Sequence, residues 1–372
     1  MQKNFTALGL MSGTSGDGVD ASIIHSNGVD KYELIKDKFF EYDIDIYNNI
    51  HLIKEQINTS KDLLKFSNEI NDLERKITVF HAKVISEMDH NNDNLFIGFH
   101  GQTIFHNASE KKSVQLGDGN LLHQLTRRKI VYNFRKNDLM NGGQGAPLTP
   151  IFHQLIILKK KINFPVYVLN IGGIANLTII ADPTDNKKIF SRDIGPGNCL
   201  IDNWVRKNSG NKFDFNGNLS IQGTKNEIII EQAQELYANR LNKYKLSFDV
   251  NDFDVSFVRG LTLEDGAATL TEFTGDIICS ELNLEIQKVR CKEILLCGGG
   301  RKNKALVKKI NKNISKQVVF KSIDEYGING DFIESQAFAF LAIRTILKLP
   351  ITFPNTTGCQ KPCLGGKIIG LD

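Results

Sequence analysis

Apolar residues fall along the chain in two kinds of spacing, and each predicts an element. Between residues 63 and 84 they recur every three or four positions (Leu63, Phe66, Ile70, Leu73, Ile77, Phe80, Val84), which predicts one long amphipathic helix. Elsewhere they gather in short runs that read as strands: Phe5 to Leu10, Val19 to Ile24, Leu95 to Phe99, Lys129 to Phe134, Pro165 to Ile171, Leu177 to Ile180, Lys188 to Phe190 and Glu293 to Leu296. The first two runs flank the glycine-rich tract MSGTSGDG and form a predicted β-hairpin. The runs at 165–171 and 177–180, joined by Gly172-Gly173-Ile174-Ala175-Asn176, repeat that arrangement roughly 160 residues later. Helices are expected after Asn198, from Lys304, and over Glu334 to Lys348. Strands alternating with helices, in two copies, predict an α/β chain of two duplicated lobes with a cleft between them.

The length of 372 residues suits two lobes, because domains commonly run about 100 to 200 residues. The expected lobes are 1–165 and 166–334, with the helix and tail at 335–372 packing back on the first. Hydrophobic residues at 41% and charged residues at 24% exclude a disordered or fibrous chain. The 46 Lys and Arg barely exceed the 42 Asp and Glu and are scattered, so neither nucleic acid nor a membrane surface is an expected partner. No apolar run at the start is long enough for a signal peptide or a membrane span, and a cytoplasmic location is expected. Six thinly spread cysteines read as reduced, buried thiols. Cys359 and Cys363 lack a second Cys or His pair at ligand spacing, so no metal held directly by side chains is expected there.

Three glycine-rich turns carry candidate chemistry. Phosphoryl transfer asks a protein to hold phosphates and metal in place and to activate and aim the acceptor oxygen. The first tract, Gly13-Thr14-Ser15-Gly16-Asp17-Gly18 followed by Val19 and Asp20, offers backbone N–H groups to phosphate oxygens, and Asp17 or Asp20 suits Mg²⁺. It lacks the lysine of a Walker loop, and a plain hairpin turn is the competing reading. In the second, Asp193-Ile194-Gly195-Pro196-Gly197-Asn198, a carboxylate at a strand end stands beside a helix N-terminus, a place that binds anions. There the competing role for Asp193 is that of a turn former or cap. The third, Cys297 to Asn303 with the run Gly298-Gly299-Gly300 after a strand, lets a flat ring or a sugar lie close to the backbone, or is a plain turn. A helix rich in small residues (Ala337, Ala339, Ala342) follows.

Taken in order, these sites resemble the two phosphate loops, adenosine loop and connecting helices of the actin, hexokinase and chaperone ATPase superfamily. Over nearly its whole length the chain resembles the anhydro-N-acetylmuramic acid kinase family, through GLMSGTSGDGVDAS (9–22), GFHGQTIFH (98–106), QLGDGN (115–120), NFRKNDLMNGGQGAPLTPIFH (133–153), NIGGIANLT (170–178), DIGPGNCLID (193–202), ATLTEFT (268–274), LLCGGGRKN (295–303), ESQAFAFLAIR (334–344) and TGCQKPCLGGKI (357–368). Gly16, Ile194 and Gly275 depart from the Leu, Thr and Ala usual in that family.

The resemblance implies two ribonuclease-H-like lobes of an actin-like ATPase fold, with ATP in the cleft and Mg²⁺ as cofactor. It implies a kinase that opens 1,6-anhydro-N-acetylmuramic acid with water and phosphorylates O6 during peptidoglycan recycling. Asp193 is then the catalytic base. Residues 13–20, with Gly172, Gly173, Gly195 and Gly197, hold phosphates, and Gly298, Gly299 and Gly300 hold adenosine. His100, Gln102, Arg135 and Glu334 are candidate sugar contacts, with a satisfied core histidine as the competing reading of His100. Oligomeric state is left open, with a homodimer as one option. A sugar sensor without turnover and a kinase for a free hexose stay open as rival readings.

Overall fold

The computed structural model describes residues 3–88, 95–240 and 247–370. Residues 1–2 and 371–372, the outer ends of the expected lobes, lie outside the described residues, as do 89–94 and 241–246 within them.

The chain divides into two compact units. Unit 1 comprises Met1–Ile162, Pro183–Phe190 and Asp331–Asp372, and unit 2 comprises Asn163–Asp182 and Ser191–Gly330. This division differs from the expected 1–165 and 166–334 chiefly by the return of 183–190 to unit 1. Hydrogen bonds supply the reason: the Gln154 amide donates to the Pro183 carbonyl (2.7 Å) and the Asn186 side chain (2.8 Å), and Asn355 Nδ2 donates to the Lys187 carbonyl (2.6 Å). Glu334 also belongs to unit 1.

Among the described residues the strands are, in chain order, β1 (Phe5–Ser12), β2 (Gly18–Ser26), β3 (Tyr32–Glu41), β4 (Phe96–Asn107), β5 (Lys112–Leu116), β6 (Lys129–Tyr132), β7 (Val166–Ile171), β8 (Ile174–Ile180), β9 (Ile189–Pro196), β10 (Glu293–Cys297), β11 (Val319–Ser322) and β12 (Lys367–Ile369). One sheet has the order β12-β6-β4-β1-β2-β3, with β5 on β4; the other has the order β11-β10-β7-β8-β9. In each, the opening hairpin is antiparallel (β1 with β2, β7 with β8), and the next two strands run parallel beside its first strand (β4 then β6, β10 then β11). The same order, β3-β2-β1-β4-β6 in one sheet and β9-β8-β7-β10-β11 in the other, thus occurs twice, the ribonuclease-H-like arrangement that an actin-like ATPase duplicates.

Two local expectations change. The helix expected from Leu63 is two helices, Asp62–Lys65 and Ser67–Met88, because Phe66 leaves helical backbone (φ −102°, ψ 26°). The strand expected to end at Phe99 continues to Asn107, because its second half pairs with β5. His100 and Gln102 are therefore strand residues and not part of a loop. The helix Ser67–Met88 buries Leu73, Ile77 and Val84 in a core shared with Leu8 and Leu10 of β1 and Ile97 and Phe99 of β4. Unit 2 has its own core, in which Leu169 and Ile171 of β7 meet Ile278 and Leu282 of the long helix Leu263–Lys288. No helix among the described residues is long and apolar enough to cross a membrane.

The helix Ile333–Ile346 is buried on nearly every side, which its apolar and small residues permit. It lies so close to the first sheet that two strand positions have no room for a side chain. A methyl carbon on Gly9 would lie 1.9 Å from the Ser335 carbonyl oxygen, and one on Gly98 would lie 2.3 Å from that of Phe338.

Two predictions follow from this packing. Gly98→Ala must push a helix backbone away and should cost about 1–3 kcal/mol, the usual size of overpacking. Gly299→Ala, where nothing lies within 4 Å of the added carbon, should cost far less. Urea midpoints compare them, and equal midpoints would refute the close-approach account. The second concerns His81 and His153, which are wholly buried, so that burial lowers their pKa values to about 4 and about 3. A folded pKa below the unfolded one gives stability that is present above the ordinary histidine pKa of about 6.5 and is lost as pH falls below it, at about 1.4 kcal/mol per pH unit for each group. His81→Leu should therefore flatten the dependence of the urea midpoint on pH between neutrality and pH 5; an unchanged slope counts against a neutral His81.

Candidate active site

The opening hairpin is fixed from behind. Gly16, at φ +63°, donates its N–H to the Gly13 carbonyl (3.1 Å) and closes the turn. The Ser12 hydroxyl donates to Gln102 Oε1 (2.6 Å), with the Gly18 carbonyl at 3.0 Å as its alternative acceptor, and accepts from the Tyr42 hydroxyl (3.0 Å). Gln102 Nε2 donates to the Gly13 carbonyl (3.0 Å), and Lys54 Nζ to that of Thr14 (2.8 Å). Gln102 is wholly buried and its amide is spent on this hairpin, so its geometry suits propping the turn better than touching a sugar. The glycines divide in the same way. A carbon on Gly18 would strike the Phe40 carbonyl at 2.3 Å, whereas one on Gly13 meets nothing nearer than Ser15 Oγ at 3.8 Å. Gly13 thus presents an open backbone face to a ligand, and Gly18 serves the sheet.

Acidic groups gather beside this hairpin. Burial first, and then the charges of Asp17, Glu334, Asp331 and Asp37, hold the Asp20 carboxyl well above the usual carboxylate range. Ser15 Oγ donates to Asp17 (2.5 Å). Sequence reasoning named Asp17, Asp20 and Glu334 separately; the packing of the helix Ile333–Ile346 on the sheet brings them into one field and adds Asp331. Such an all-oxygen set of carboxylates suits a hard divalent cation.

His100 and Arg135, far apart in sequence, form a pair. His100 Nδ1 donates to the Gly101 carbonyl (2.7 Å), and Nε2 accepts from Arg135 Nη2 (2.8 Å). A carbonyl only accepts and a guanidinium only donates, which fixes the neutral tautomer. Burial, and secondarily the Arg135 charge, keep the His100 pKa well below its ordinary value. Arg135 Nη1 also donates to the Gly145 carbonyl (2.8 Å), so the guanidinium is aimed from two sides.

In unit 2 the second and third turns interlock around β7. Asp193 and Gly195 lie inside β9, which continues past the expected end at Phe190 to Pro196. The N–H groups of Gly197 and Cys199 donate to the Gly173 carbonyl (2.9 and 3.1 Å), and that of Asn198 to the Gly172 carbonyl (2.8 Å). Gly197 must be glycine, since an added carbon would sit 2.2 Å from Gly172 O. The helix Cys199–Asn208 starts at once, so four of the glycines expected to hold phosphates meet at one helix N-terminus. Gly298 and Gly300 pack against Asn170 and Ile171, with added carbons only 2.4 and 2.3 Å from them, and of the three only Gly299 keeps an open face.

Asp193 is buried, and its Oδ2 accepts the Phe248 N–H at 2.7 Å. Its neighbour Arg192 pairs with Glu281 (2.5 Å) and Glu285 (3.0 Å) on the helix Leu263–Lys288, which anchors the strand that carries the acid. Sequence reasoning missed Tyr237. Its buried hydroxyl has no partner among the described residues and lies 3.4 Å from where a side chain on Gly195 would begin. No spacing in the chain marks it.

The family model for anhydro-N-acetylmuramic acid kinase matches residues 5–370. Relatives that carry this name include one from Pelagibacter ubique, 54% identical with 99% of each chain covered, and one from Gluconobacter oxydans, 34% identical with 98% of this chain and 99% of the relative covered. Among solved structures, the activator of the 2-hydroxyisocaproyl-CoA dehydratase from Clostridium difficile with bound ADPNP is similar at 11% identity and a TM-score of 0.42, covering 92% of this chain and 96% of that one. Component A of the (R)-2-hydroxyglutaryl-CoA dehydratase from Acidaminococcus fermentans is similar at 10% identity and a TM-score of 0.44, covering 92% and 99%. Through the match along residues 5–370 and the relative 54% identical over its length, the chain belongs to the anhydro-N-acetylmuramic acid kinase family.

Proposed function

We propose that this chain is an ATP-dependent kinase that opens 1,6-anhydro-N-acetylmuramic acid with water and delivers N-acetylmuramic acid 6-phosphate and ADP, in the recycling of peptidoglycan. The observation that carries the reading is the full-length identity to a relative of that name, at 54% over 99% of the chain. Six free thiols suit a reducing compartment, which supports a cytoplasmic reaction.

The substrate's chemistry assigns the roles. In the anhydro sugar O6 is bonded to C1, so no free hydroxyl exists there to attack a phosphorus atom. Asp193 takes a proton from water as the water oxygen bonds to C1. The C1–O6 bond breaks with its electron pair going to O6, and O6 attacks the γ-phosphorus as ADP leaves. The Phe248 N–H bond to Oδ2 fixes the carboxylate's orientation for that transfer. The open backbone at Gly13 holds phosphate oxygens through N–H groups. In unit 2 the N–H groups of Gly172 and Gly197 are spent on the Ile174 and Gly173 carbonyls, and what the turn offers a phosphate is the positive end of the helix Cys199–Asn208. The residues present fit Mg²⁺: Asp20 and Asp17 would hold it directly or through water, with Glu334 and Asp331 adding negative field. Bound there, the ion supplies charge neutralisation on the phosphates. Gly299 leaves room for the adenosine, and Arg135, aimed by His100 and Gly145, offers a fixed positive charge to a sugar carboxylate.

Two outcomes test the reading. Incubated with ATP and the anhydro sugar in ¹⁸O-labelled water and quenched early, the enzyme should place label at C1 of the product and none in the phosphate ester, because O6 is carried in by the substrate. Label in the ester oxygen would show that the C6–O6 bond broke and would remove the role given to Asp193. Asp193→Asn should keep the fold and ATP binding while losing roughly 10² to 10⁴ in turnover, the usual share of a general base. Near-parental turnover of the purified variant would exclude it as the base.

A further inference from the structure

After the helix Ile333–Ile346 the chain folds into a loop that is stitched to the segment beside Arg135. The Cys363 N–H donates to the Thr352 carbonyl (3.0 Å), the Gln144 N–H to the Thr357 carbonyl (2.8 Å) and the Gln360 N–H to the Asn141 carbonyl (3.1 Å). Inside this stitching stands Asp138, 1% exposed, on the short helix Lys136–Met140. Its Oδ2 accepts the Gly145 N–H (2.7 Å) and its Oδ1 accepts the Thr357 hydroxyl (2.6 Å). No lysine, arginine or histidine pairs with it among the described residues. A buried carboxylate without a cation is costly, and two neutral donors offset only part of that cost.

What faces Asp138 is a pair of thiols. Cys359 and Cys363, each 2% exposed, place their sulfurs and a carboxylate oxygen of Asp138 all within 4.8 Å of one another. The Thr352 hydroxyl, 1% exposed, lies beside both sulfurs and makes no well-formed hydrogen bond of its own. Two sulfurs and one carboxylate oxygen, with a hydroxyl at their side, match the ligand types and number of a tetrahedral zinc-class ion. The Cys-x₃-Cys spacing lies within the usual range, and the Gly145 and Thr357 contacts orient the carboxylate as outer hydrogen bonds orient metal ligands.

We propose that Asp138, Cys359 and Cys363 form a buried structural site for one zinc-class divalent ion, with Thr352 or a water as fourth ligand. Each thiol releases its proton to solvent as its sulfur bonds to the metal, and three anionic ligands then surround a dication. The ion staples the loop at 350–363 to the loop at 141–145. The Gly145 carbonyl that this staple steadies is the one that holds Arg135.

Purified full-length protein, without nucleotide, is stripped of metal and titrated with Zn²⁺ and separately with Co²⁺. One metal ion per chain, a sulfur-to-cobalt charge-transfer band and a thermal midpoint raised by Zn²⁺ are expected. Cys359→Ser and Cys363→Ser should lose the band and the Zn²⁺ shift, while Cys279→Ser, a buried thiol of unit 2, keeps both. Should the two serine variants fail to fold, the cobalt spectrum of the unaltered chain still decides, because a band without sulfur character, or no uptake, overturns the proposal. Metal retained by both serine variants, or a Cys359–Cys363 disulfide in the freshly isolated protein, overturns it as well.

Discussion

The contact on which unit 1 depends is the approach of one helix backbone to two glycines. Gly9 in β1 and Gly98 in β4 leave the surface of the sheet bare, and the helix Ile333–Ile346 settles onto that bare strip through its own peptide groups and alanines. Two consequences meet at the same end of the contact. β1 runs on from Gly9 into the hairpin at 13–17, and the helix begins just after Asp331 with Glu334 in its first turn. A helix held farther off would carry its acids away from Asp20, so a packing constraint with no chemistry of its own sets the electrostatics of the hairpin.

The glycines show how one residue type serves two purposes in one motif. In each turn some glycines are required because another backbone group occupies the place of a side chain: Gly18 against Phe40, Gly197 against Gly172, Gly298 and Gly300 against the end of β7. Others, Gly13 and Gly299, face open space and leave backbone accessible. Sequence cannot separate these classes, because both read only as the letter G in a tight turn. The structure separates them by what stands within 4 Å.

Much of the architecture was legible because it is local. Both hairpins and the amphipathic series from Ile70 to Val84 announce themselves through spacing and turn residues. What could not be read depends on partners distant in the chain. The extension of β4 through His100 and Gln102 is dictated by β5, and β9 runs on past Phe190 beside β8. The helix Leu263–Lys288, which forms much of the unit 2 core, has buried residues on most of its circumference, so no single apolar stripe betrays it. The bracing of the opening hairpin by Gln102, and the meeting of Asp138 with two cysteines more than 200 residues later, are tertiary facts with no local trace.

The division of unit 1 into three pieces bears on how the protein comes into being on the ribosome. Its sheet has nearly all its strands once residue 132 has been made, yet the helix that covers Gly9 and Gly98, and β12 at the edge beside β6, arrive only after all of unit 2 has been translated. Until then one face of the sheet keeps a bare, apolar groove and β6 an unpaired edge, the kind of surface that draws nascent chains into wrong associations. Unit 2, whose segments all precede residue 331, can close its core first. The order of synthesis therefore makes the segment that follows unit 2 the latch of the unit begun before it, and the vulnerability of the nascent chain is set by the pace at which the residues from 331 onward emerge.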